Sequence, residues 1–62
     1  MEMIYKIEVQ KGSRWIERTT IPALSPNAAL RAYGIRGSRP RLGSAVSKSG
    51  KRFRALNTGK TA

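Results

Sequence analysis

The sequence predicts an α+β fold: a small antiparallel sheet of three or four strands in ββαββ order, with one short helix packed on one face. Three observations carry this. The chain opens on a strict apolar/polar alternation, its middle holds a segment bracketed by Ser25-Pro26 and Gly34, and Ser49-Gly50 separates two strand-like runs near its end.

Met3, Tyr5, Ile7 and Val9 alternate with Ile4, Lys6, Glu8 and Gln10. A two-residue period lets a strand turn one face to a core and the other to water, so the first strand is expected here. Lys11-Gly12-Ser13 supplies a turn, and Arg14 to Ile21, rich in Trp, Ile and Thr, supplies the returning strand. The register stays open. A two-residue loop pairs Val9 with Ile16 but sets Glu8 against Glu17; a three-residue loop pairs Val9 with Trp15 but sets Lys6 against Arg18.

Ser25 can accept an orphan backbone N–H, and Pro26 at the first helical position forfeits no bond, so a helix is expected over Asn27 to Tyr33 with Gly34 as its exit. Ala29, Leu30 and Tyr33 share one side, and so short a helix persists only if that side packs on the sheet. Ile35 to Gly43 reads as an exposed Arg/Gly/Pro connector. A two-residue turn at Ser49-Gly50 joins expected strands Leu42–Lys48 and Lys51–Leu56, setting Lys48 against Lys51, Val46 against Phe53 and Ser44 against Ala55, with Arg52 and Arg54 on the other face. Residues 1–56 are therefore expected as a single small basic domain and residues 57–62 as a flexible C-terminal tail.

A chain of 62 residues builds one small core at most, and dimerisation is an available supplement to its stability. Without Cys or His it has neither disulfides nor the usual metal ligands, which fits a reducing cytoplasm. The longest uncharged run, Thr19 to Leu30, contains Pro22 and Pro26 and is too short to span a bilayer, and Glu2 stands where a signal peptide carries positive charge. Neither a membrane nor an export role is expected. Catalysis is not expected either, since no His, Cys or Asp exists and all three Glu lie within the first 17 residues. No cofactor is implied.

Charge separates the two halves. Residues 1–30 carry four basic and three acidic groups, whereas residues 31–62 carry nine basic groups and no acid. Such a block repels itself unless an external anion compensates it. The expected function is non-catalytic nucleic-acid binding, DNA or RNA, through the phosphate backbone; the alternative is a small interaction or inhibitor protein for an acidic protein partner.

Two basic groups and one aromatic are the candidate contacts. Arg36-Gly37-Ser38-Arg39-Pro40-Arg41 resembles a degenerate AT-hook over these six residues: Arg39-Pro40 matches the central Arg-Pro of that family's Gly-Arg-Pro core, and Ser38 stands where the family has Gly. The resemblance implies Arg36, Arg39 and Arg41 reaching into a narrow electronegative groove, while a solvated loop accounts for the same residues. Lys48, Lys51, Arg52 and Arg54, joined by Lys60 from the tail, would form a basic ribbon along a phosphate track, although charges on an edge strand also prevent sheet-to-sheet aggregation. Trp15, exposed in the register that turns Ile16 inward, is a possible stacking platform for an unpaired base.

Overall fold

The computed structural model describes residues 1–35 and 39–62. It is an α+β fold in the order β1 (Met3–Lys11), β2 (Arg14–Ala23), α1 (Pro26–Tyr33), β3 (Ser44–Val46) and β4 (Arg52–Thr61). The four strands form one antiparallel sheet in the spatial order β2-β1-β4-β3, so the first and last strands are the inner pair.

β1 and β2 are joined by the two-residue loop Gly12-Ser13, which pairs Val9 with Ile16, Gln10 with Trp15 and Glu8 with Glu17. A bulge follows: Ile7 pairs with Thr19, leaving Arg18 as the extra residue on β2. β2 is an edge strand, which is why Pro22 is tolerated in it despite having no N–H for a ladder.

α1 is capped as its sequence predicts. The Ser25 hydroxyl accepts from the Ala28 N–H at 3.1 Å, Pro26 opens the first turn, and Gly34 closes the helix in the left-handed region. Ala29 and Leu30 are buried, and Tyr33 packs on the same core, which the helix builds with Tyr5, Ile7, Ala23, Ala45 and Ala55. The odd-numbered residues of β1 thus face the helix, and Ile4, Lys6, Glu8 and Gln10 lie on the face that no helix covers.

Three expectations are corrected. The β3–β4 loop has three residues, Lys48-Ser49-Gly50, closed by Ser47 N–H to Lys51 O at 2.8 Å and Gly50 N–H to Ser47 O at 2.9 Å. This loop needs a positive φ only at Gly50, which has 90°, whereas the expected two-residue turn of the Asn-Gly kind would force Ser49 there as well. The register consequently slips by one: Ala45 pairs with Phe53, Val46 with Arg52 and Ser44 with Arg54. Because a one-residue slip exchanges faces, Ala45 is buried and Val46 is 51% exposed instead of being Phe53's core partner.

The last strands also differ in extent. β3 is shorter than the expected Leu42–Lys48. β4 does not stop at Leu56 but continues to Thr61, with Asn57 opposite Tyr5 and Thr61 opposite Met3 across an irregularity in the ladder. Thr58 Oγ1 donates to the Ile4 carbonyl at 2.9 Å, and the Ala62 N–H to that of Glu2 at 3.0 Å. Residues 57–61, assigned by sequence to a tail, are part of an inner strand.

Candidate nucleic-acid interface

Antiparallel pairing decides which charges meet. β1 ends and β4 begins at the same end of the sheet, so the β1–β2 turn and the β3–β4 turn lie side by side. This turn end collects Lys11 and Arg14 from the first hairpin and Lys48, Lys51 and Arg52 from the second, all exposed. Arg18 joins them, because the β2 bulge lets its Nε reach the Tyr33 hydroxyl at 3.4 Å.

The carboxylates are held elsewhere. Glu8 and Glu17 face each other across β1 and β2 on the side without the helix. Glu8 is buried there, accepts from Arg54 Nε at 2.6 Å and lies 3.6 Å from Lys6 Nζ. The Arg54 hydrogen bond holds its carboxyl below the usual glutamate range, against the opposing effect of burial and with help from the Arg54 and Lys6 charges. Among the described residues these two contacts to Glu8 are the only ion pairs, so the turn-end cations have no carboxylate partner.

The residues singled out from sequence divide into four groups. Lys48, Lys51 and Arg52 reach the turn end, although alternation along β4 sends Lys51 to the helix side of the sheet and Arg52 to the open side. Arg39 and Arg41 are exposed at the far end of β3, where Arg41 pairs with Ser44 around a tight turn. Arg36 lies outside the described residues. Arg54 is half-buried and engaged: besides Glu8, its guanidinium carbon lies 4.1 Å from the centre of the Trp15 ring. Trp15 does sit on the open face, but that stacking surface is occupied by Arg54.

Lys11, Arg14 and Arg18 escaped sequence reasoning, since they belong to the half with nearly balanced charge. Their signal was conditional: the two-residue loop brings Lys11 opposite Arg14, and only the β1–β4 pairing brings Lys11 beside Lys51.

Compared with family models, curated proteins and solved structures, the chain matches none. Among the described residues no helix is long and apolar enough to cross a membrane.

Proposed function

We propose that the protein is a non-catalytic nucleic-acid-binding module that grips the phosphate backbone with the turn end of its sheet. Lys11, Arg14, Arg18, Lys48, Lys51 and Arg52 make the contacts, and Arg39 and Arg41 supply a second, separate patch. The observation that supports this reading is the segregation of charge: the buried carboxylate is neutralised internally by Arg54 and Lys6, while among the described residues the turn-end cations make no ion pair. Six like charges gathered at one end of the sheet raise the local potential, and a polyanion relieves it by releasing its own counterions.

Backbone contacts of this type position a protein without reading bases, so affinity should depend on salt more than on sequence. The test is an NMR titration of labelled protein with duplex DNA, single-stranded DNA and duplex RNA at matched ionic strength. Amide shifts should concentrate at residues 11–14, 18 and 48–52, with a second, separate set at 39–41, and spare the Glu8–Glu17 face. Shifts centred on Trp15, Leu56 and Val46, or none with any polyanion, would contradict the proposal.

A further inference from the structure

At the turn end, on the helix side of the sheet, lies a cleft of about 160 Å³ lined by Val9, Gln10, Lys11, Arg18, Tyr33, Lys51 and Phe53. Three separate features of the fold bring its cations together. Lys11 ends β1 and Lys51 precedes β4, which places them beside each other at the mouth of the antiparallel pair. Arg18 is the bulge residue of β2, turned toward the helix and held by Tyr33. Tyr33 is fixed in turn by packing on Phe53, their ring centres 5.8 Å apart.

The cleft has room for one small group. Its volume is close to that of the ~150 Å³ cavity that accommodates a single benzene ring, so it admits one phosphate-sized or ring-sized group and not a whole nucleotide. Its chemistry favours the phosphate. Three of the residues that line it are cationic and none is acidic, and the Tyr33 hydroxyl, which accepts from Arg18, keeps its own hydrogen to donate. A backbone diester brings one negative charge, whereas a phosphate monoester brings about −1.5 to −2 and three acceptor oxygens, a closer match to three cations.

We infer that this cleft seats a phosphate monoester, with Arg18, Lys11 and Lys51 on its oxygens and Tyr33 donating a further hydrogen bond. The inference rests on the proposed nucleic-acid function but names something that function does not require, a preference for a strand that ends in phosphate. A free nucleoside monophosphate presents the same group, so the experiment distinguishes the two sources.

Binding of one single-stranded oligonucleotide with a 5′-phosphate, the same strand with a 5′-hydroxyl, a nucleoside monophosphate and inorganic phosphate is followed at fixed salt by NMR shifts at Arg18, Tyr33 and Lys51. The phosphorylated strand should bind about tenfold more tightly than the hydroxyl strand, the worth of one or two charge-assisted hydrogen bonds. Arg18→Gln and Tyr33→Phe should each erase most of that difference, with Lys60→Gln, at the opposite end of β4, keeping it. Tyr33→Phe retains the ring that packs on Phe53, so its loss would not come from unfolding. If the monophosphate and inorganic phosphate shift the cleft while neither strand binds, the seat stands and the nucleic-acid function falls. Equal binding of the two strands, with no cleft shifts from inorganic phosphate, overturns the seat and leaves the wider function in place.

Discussion

Arg54 donates from Nε to Glu8 Oε1 at 2.6 Å, across 46 positions of sequence. The pairing explains how the first hairpin tolerates Glu8 opposite Glu17, because the repulsion between β1 and β2 is relieved from β4 on the other side. It also gives stability a predictable pH dependence. With Glu8 held below its usual value, the unfolded chain binds more protons in acid, so stability rises with pH there. The contribution is complete above the ordinary value of 4.5 and is lost as pH falls through the lowered folded one. Urea midpoints measured from about pH 6 to about pH 2 should fall on acidification, and Glu8→Gln should flatten the fall. A double-mutant cycle of Glu8→Gln with Arg54→Met should return a coupling of roughly 1–2 kcal/mol. Zero coupling would mean the contact is incidental.

The register of the second hairpin is open to an equally direct check. Ala45 faces the core and Val46 faces water, so Ala45→Leu should overpack the helix side and cost about 1–3 kcal/mol. Val46→Thr should stay within about 0.5 kcal/mol. Chemical denaturation of the two variants reads this out, and the reverse order of costs would restore the pairing of Val46 with Phe53.

The contrast between the two hairpins shows what the sequence could convey. β1, the capping of α1 and the Ala29/Leu30/Tyr33 face were legible because each depends on residues no more than a few positions apart. The second register was not, because Ser49-Gly50 fits either a two- or a three-residue loop. The choice rests on Gly50 taking the left-handed position and on Ser47, whose hydroxyl accepts from the Lys51 N–H at 3.0 Å. Charge was legible as a total and not as a map: Arg54 counted as a free cation until its partner on β1 was placed, and Lys11 and Arg18 counted for little until the strand order was known.

Removing residues 57–62 should weaken the fold substantially. The deletion takes away the end of an inner strand, including the hydrogen bonds to the Ile4 and Glu2 carbonyls and the pairings with Tyr5 and Met3. A loss of about 2 kcal/mol or more is expected from several net hydrogen bonds. A truncated protein with unchanged thermal midpoint would show that β4 effectively ends near Leu56.

Leu42 is a site where stability can be gained. It adopts φ 52° at the tip of the tight turn between Arg41 and Ser44, followed by Gly43 at φ 76°, and is 98% exposed. Both central residues of this turn have positive φ, a conformation that favours Asn-Gly and disfavours leucine. Leu42→Asn should therefore raise stability by about 0.5–1 kcal/mol, visible as a higher thermal midpoint. A lower midpoint would indicate that the exposed leucine makes a contact that offsets its backbone strain.

The turn-end interface is tested most directly by the salt dependence of binding. Fluorescence anisotropy with a labelled DNA duplex, repeated across ionic strengths, gives the slope of log K against log salt. Contact with about four to six phosphates predicts a slope of roughly −3.5 to −5.5. Lys48→Gln and Arg52→Gln should each reduce that slope by about one unit and together by about two, while Lys60→Gln, away from the turn end, should leave it unchanged. A slope near zero, or the same reduction from Lys60→Gln as from Lys48→Gln, would contradict a phosphate-binding surface located at the turn end.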